Sequence, residues 1–212
     1  MYNYNIRSIL VLFSLLFFLS QPYAQIGDTY PLGTCLVSGE KIGTMGEAII
    51  YNHQGRELRF CCEGCIPKFK KSSSEYLAKL DAIIIAEQLP FYPLDTCLIS
   101  HEKLGSMGEA INYVYNNRLI RFCCKGCIRD FLKEPAKYLA ELNKAVVLKQ
   151  KAKYPLDRCL VSRGKLGEMG EPFEFVYGNR LIRFCCKDCL PKFQKQPALY
   201  LSYLKKAYDR KK

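Results

Sequence analysis

Cysteine spacing constrains this chain more than any other feature. Cys35, Cys61, Cys62 and Cys65 are followed by Cys97, Cys123, Cys124 and Cys127, and then by Cys159, Cys185, Cys186 and Cys189, each set being the previous one displaced by 62 residues. Residues 27–88, 89–150 and 151–212 are therefore three copies of one unit, joined without insertion. A unit of 62 residues buries too little apolar surface to be comfortable alone. Small units usually add disulfides or a metal, and the cysteines are the means available here.

Superposing the copies shows what the unit keeps. The openings read YPLGTCLVSGEKIGTMGE, YPLDTCLISHEKLGSMGE and YPLDRCLVSRGKLGEMGE, and the closing motifs RELRFCCEGC, RLIRFCCKGC and RLIRFCCKDC. All four cysteines recur, with Ser38, Lys41, Met45, Glu47, Arg56, Arg59, Phe60, Phe69, Tyr76, Leu77 and Leu80 of the first copy. His53 and His101 do not recur, so neither is a shared ligand; the first is read as a hairpin residue and the second as a loop residue.

Each unit reads as loop, hairpin and helices. The stretch from Pro31 to Gly46 is rich in Gly and Ser and makes a loop or knuckle. Two extended runs follow, separated by Gln54-Gly55, Asn116-Asn117 or Gly178-Asn179, which are hairpin turn residues. A short helix is expected to start at the CC pair. A second starts near Glu134-Pro135, while the first copy offers Ser72 and Glu75 at capping-box spacing. Tyr138, Leu139, Leu142, Ala145 and Val146 then form an apolar stripe, as do Tyr76, Leu77 and Leu80. The expectation is of modules on a string, with linkers near residues 86–91 and 148–153.

In such a unit one cysteine sits in the loop, one ends a strand and two open a helix, an arrangement that brings thiols together. Backbone N–H groups at a helix start favour the thiolate, the form that binds metal. Arg56, Arg59 and Lys41 can offset the charge of a thiolate–metal cluster or be plain surface charge. The thioethers of Met45, Met107 and Met169 suit Cu(I), but we read them as filling the small core under each hairpin. Glu47 is read as a surface or hairpin residue.

The early Cys97, the FCC-x2-C motif from Phe122 to Cys127, the later Phe131 and the segment PAKYLAEL resemble the YHS/TRASH group of small metal-binding modules, as do the two equivalent stretches. That group is similar to treble-clef zinc folds, including a zinc-binding ribosomal protein family and the MYM zinc fingers. The resemblance implies an α+β chain of three tandem treble-clef-like modules, each a Cys-bearing loop, a β-hairpin and C-terminal helices. It implies about one Zn(II) or Cu(I) per repeat, in metal trafficking, sequestration, resistance or sensing. The family's ligand cysteines match Cys35, Cys61 and Cys65, Cys97, Cys123 and Cys127, and Cys159, Cys185 and Cys189. Four-Cys relatives carry a second knuckle cysteine where this chain has Ser38, Ser100 and Ser162. The family's usual Ser after the FC pair is here Cys62, Cys124 and Cys186, which we include among the candidate ligands.

Residues 1–24 read as a secretory signal peptide: Arg7 in a short polar head, an apolar run from Ile9 to Leu19, and Ala24 at the cut. The run is shorter than the roughly 20 residues a spanning helix needs. Export places the protein in a secreted or periplasmic setting and argues against nucleic acid as its partner. The net charge of +12 fits an acidic protein or an anionic surface. No catalytic constellation recurs across the copies, and the βαβ pattern of thioredoxin-like oxidoreductases is missing, so a non-enzymatic role is expected. Two roles remain: soft-metal binding as the function, or an interaction protein whose repeats are stapled by zinc or disulfides.

Overall fold

The computed structural model describes residues 27–211 and shows a mixed α+β chain built from three copies of the same unit. Residues 1–24, expected from the sequence to be a signal peptide, lie outside the described residues. Each unit opens with a knuckle loop, continues into a two-stranded antiparallel hairpin and ends in two helices. The hairpins are β1 (Ile49–His53) with β2 (Arg56–Phe60), β3 (Ile111–Tyr115) with β4 (Arg118–Phe122), and β5 (Phe173–Tyr177) with β6 (Arg180–Phe184). The helices are α1 (Cys65–Lys71) and α2 (Ser73–Gln88), α3 (Lys125–Lys133) and α4 (Pro135–Gln150), and α5 (Cys189–Lys195) and α6 (Pro197–Asp209).

The hairpin turns follow from residue type. Both central residues have positive φ in all three copies: Gln54 and Gly55, Asn116 and Asn117, Gly178 and Asn179. That backbone matches the right-handed twist of the strands and suits Gly and Asn. The resulting register pairs Ile49 with Phe60, Ile111 with Phe122 and Phe173 with Phe184. The last residue of each second strand is thereby fixed next to the CC pair.

Every unit buries the same aromatic nucleus. In the second, Phe131 is wholly buried and meets Tyr115 edge-on at 5.1 Å, Phe122 at 5.6 Å and Tyr138 at 6.3 Å. Leu80 and Leu142 are fully buried in the long helices, as the stripe requires. His53 ends β1 and stacks on Tyr51, and His101 lies in the knuckle loop.

Three expectations are corrected. The short helix starts after the CC pair rather than at it: directly after Cys124 at Lys125, and three residues after Cys62 and Cys186 at Cys65 and Cys189, where the chain first makes a turn in which Cys65 N–H bonds Cys62 O and Cys189 N–H bonds Cys186 O. Ser72 does precede α2, but its side chain makes no capping bond, and Glu75 instead pairs with Lys79. The third correction is larger: the repeats are interlocked rather than strung. The segments expected as linkers are the last turns of α2 and α4, each closed by a single 3-10 turn, Leu89–Phe91 and Lys151–Lys153. Each of these helices packs on the hairpin of the following unit. Gln88 donates to Asn117 O and accepts from Leu119 N–H, and Gln150 does the same with Asn179 O and Leu181 N–H.

The hairpin tips meet at a buried polar centre. Arg56 Nε donates to Asn117 Oδ1 at 2.7 Å, and Arg118 Nε to Asn179 Oδ1 at 2.6 Å. Asn117 Nδ2 donates to Asp28 O and Glu57 O. Asp28 is buried, faces the Arg118 guanidinium and accepts from Gly178 N–H. The first and third units close on each other through Tyr177, whose hydroxyl donates to Thr29 O, and through Arg59. The Arg59 guanidinium bonds the carbonyls of Gln194 and Lys195 at the end of α5, satisfying groups a helix terminus leaves without partners. Where units 2 and 3 carry Leu119 and Leu181, unit 1 carries Glu57, which holds Arg59 in this pose. Arg56 and Arg59 are thus ties between repeats rather than counter-charges for a thiolate cluster. No helix among the described residues is long and apolar enough to cross a membrane.

Candidate metal centre

Three parts of each unit place its thiols. The knuckle closes on itself when Cys35 N–H bonds Glu40 O and Gly39 N–H bonds Cys35 O, a pair of bonds repeated around Cys97 and Cys159. An isolated bridge between Thr34 and Lys41 holds its base, with counterparts in the other copies. Cys61 follows directly on β2, and Cys65 opens α1. Loop, strand end and helix start converge, so Cys35, Cys61 and Cys65 lie with their sulfurs all within 4.8 Å of one another. Cys97, Cys123 and Cys127 form the same group, and so do Cys159, Cys185 and Cys189.

The sulfur spacing is that of a coordination sphere. Cys61 and Cys65 Sγ are 3.7 Å apart, Cys123 and Cys127 3.7 Å, Cys185 and Cys189 3.8 Å, and Cys159 and Cys189 3.7 Å. A metal bound at about 2.3 Å sets its sulfur ligands about 3.8 Å apart in a tetrahedron. A disulfide needs about 2.05 Å, and all twelve cysteines are free. These nine thiols are buried and belong to the apolar cores.

The fourth cysteine of each unit sits at the rim, half-buried. Cys62 Sγ lies 3.8 Å from Cys65 and 4.0 Å from Cys61, Cys124 lies 3.6 Å from Cys127, and Cys186 lies 3.9 Å from Cys185. It stands outside the mutual group that includes the knuckle cysteine.

Ser38, Ser100 and Ser162 stand where the resembling four-Cys modules carry a second knuckle cysteine. The structure puts Ser38 Oγ 3.2 Å from Cys61 Sγ, Ser100 Oγ 3.3 Å from Cys123 and Ser162 Oγ 3.2 Å from Cys185. The same hydroxyl tunes the knuckle thiol. Burial pushes Cys35 up, but the Ser38 hydroxyl and the N–H groups of Ser38, Cys61 and Val37 outweigh it and bring the thiol down to about 7. The corresponding groups bring Cys97 and Cys159 to about 6. Burial and the neighbouring thiols push Cys65 and Cys189 up to about 12, and raise Cys127 in the same way. One sulfur per centre is thereby ready as thiolate near neutral pH, and a metal must displace protons from the others.

The methionines depart from expectation. Met45, Met107 and Met169 are 65%, 66% and 72% exposed, so they do not fill the core under the hairpins. That space is taken by the aromatic nucleus, and the loop carrying each Met turns outward between two glycines of positive φ, as Gly43 and Gly46 do around Met45. Lys41 and Glu47 are exposed, the latter as read from sequence.

Comparison with family models finds none that matches the chain, and neither the curated proteins nor the solved structures contain a match.

Proposed function

We propose that the chain is an exported, non-enzymatic protein that binds soft metal ions, Zn(II) or Cu(I), in trafficking, sequestration or resistance. About one ion binds per repeat, as the resemblance to the YHS/TRASH-type modules implies. The observation that carries this reading is the convergence of three thiols within 4.8 Å in every repeat. A disulfide would need only a pair of thiols, whereas three converge in each repeat and all twelve cysteines are free. Cys35, Cys61 and Cys65 are the inner ligands, with Cys62 beside them, and likewise in the other copies. The metal supplies a positive charge that holds all three sulfurs as thiolates. The residues supply the preformed triangle and a serine hydroxyl against the strand cysteine.

A structural role for the same metal is the second reading, favoured by the burial of the nine thiols in the cores. Elemental analysis of protein purified from its native compartment, with a free-thiol count, separates the two. A stoichiometric metal that chelators remove from folded protein supports trafficking. A metal released only on unfolding supports stapling, and oxidised thiols without metal contradict both.

A further inference from the structure

Each centre holds a sulfur that the inner group does not use. In the first repeat the sides of the Cys61, Cys62 and Cys65 triangle are 4.0, 3.8 and 3.7 Å. This is a second set of three sulfurs at the separation a thiolate-bound metal requires, about 3.8 Å. It shares the edge between Cys61 and Cys65 with the inner triangle that Cys35 closes. The two triangles differ in exposure: Cys35 is 2% exposed, whereas Cys62 is half-buried at the rim. The other repeats keep the asymmetry, with Cys97 and Cys159 wholly buried and Cys124 and Cys186 half-buried.

We propose that Cys62, Cys124 and Cys186 are exchange ligands, each completing an outer three-thiolate position. Through it a soft metal ion arriving on the thiolate of a small thiol or donor protein reaches the buried inner group. The inference rests on the metal-binding reading above. The exchange changes no oxidation state. A bond from the metal to Cys62 forms as the bond to the donor thiolate breaks, and the Cys62 proton passes to that leaving thiolate or to water. In the inward step a bond to Cys35 forms as the bond to Cys62 breaks. Bonds to Cys61 and Cys65 form before that inward step, their protons passing to solvent, and persist through it, so the ion exchanges only one ligand as it moves inward. Adjacent placement of two cysteines makes this possible: Cys61 extends β2 into the core, and Cys62 begins the turn before α1 at the surface.

The test uses the full-length chain carrying Cys62→Ser, Cys124→Ser and Cys186→Ser together, with a set of Ala substitutions as companion. Cu(I) is supplied as its glutathione complex and withdrawn by a chromophoric chelator. Bound Cu(I) is expected to stay at about one per repeat, while uptake and release slow on the order of tenfold or more, since an associative thiolate route is lost. Unchanged rates overturn the proposal. So does a fall in bound Cu(I) equal to that caused by Cys35→Ser, because the fourth thiol is then a permanent ligand of a closed site. Failure of the unsubstituted chain to bind either Cu(I) or Zn(II) overturns the metal-binding reading itself. Selective alkylation of the half-buried thiols in unsubstituted folded protein gives the same comparison without depending on how the variants fold.

Discussion

Replacing Asn117 with Ala attacks the joint between repeats at its most enclosed point. Asn117 is wholly buried, its Oδ1 accepts from Arg56 Nε at 2.7 Å, and its Nδ2 donates to Asp28 O at 3.1 Å and Glu57 O at 2.9 Å. Alanine leaves a buried guanidinium N–H and two buried carbonyls short of a partner. Such losses cost roughly 1–3 kcal/mol for the charged donor and about 1 kcal/mol for each carbonyl. Asn117 also has φ +65, a conformation that costs an Ala about 1 kcal/mol more. The expected loss is about 5 kcal/mol, a large part of the roughly 5–15 kcal/mol that holds a domain together. Asn117→Gly removes the same hydrogen bonds without the strain and should lose about 1 kcal/mol less. The assay is guanidinium unfolding of reduced, metal-free protein. One cooperative transition is expected for the parent chain, because the helices of one repeat are built into the hairpin of the next. A loss below about 1 kcal/mol, or separate transitions for the repeats, would refute the interlocked account.

Phe131→Ala should cost about 3–5 kcal/mol in the same assay, since it empties the centre of an aromatic nucleus that cannot readily collapse; a loss under about 1 kcal/mol would contradict that packing. In metal-free protein, Cys35, Cys97 and Cys159 lie below the ordinary thiol value of 9.0, at about 7, 6 and 6. Their stabilisation is therefore present above 9 and lost as pH falls through 7 and 6, whereas that of Cys65 and Cys189 is present below 9 and lost as pH rises towards 12. The unfolding midpoint should accordingly peak near pH 9, and a flat profile from pH 6 to 9 would be inconsistent with these thiol environments. Ser100→Ala should move the Cys97 titration, followed by thiolate absorbance, back towards 9.0. It should also weaken metal binding at neutral pH roughly tenfold without changing its stoichiometry; unaltered affinity and titration would remove the hydroxyl from the account.

What the sequence made legible was whatever repeats or acts locally. The 62-residue period delimited the units, the Asn and Gly pairs fixed the hairpin turns, and the positions of Cys35, Cys61 and Cys65 foretold their convergence. The joints escaped notice because their partners lie far apart in the chain and break the repeat. Arg56 recurs in every copy, yet the group it binds, Asn117, corresponds to Gly55 in the first copy. Asp28 and Glu57 have apolar residues at the equivalent places, Pro90 and Ala152 for the first and Leu119 and Leu181 for the second, so comparing copies hid rather than revealed them. The methionines misled for another reason. Recurrence of an apolar residue suggests a core, but the aromatic rings around Phe69, Phe131 and Phe193 already fill that space. The knuckle serines were noted for the cysteine they lack, when their hydroxyls touch a thiol in all three repeats.

The central claim is that each repeat holds its own metal on its inner three thiols. Saturation of full-length reduced protein with Zn(II) or Cu(I), before and after Cys97→Ser, tests it directly. The account predicts one ion per group, hence three in the parent chain, and two in the variant because the groups around Cys35 and Cys159 are left intact. A single ion per chain, or a Cys97→Ser protein that still binds as many ions as its parent, would contradict it.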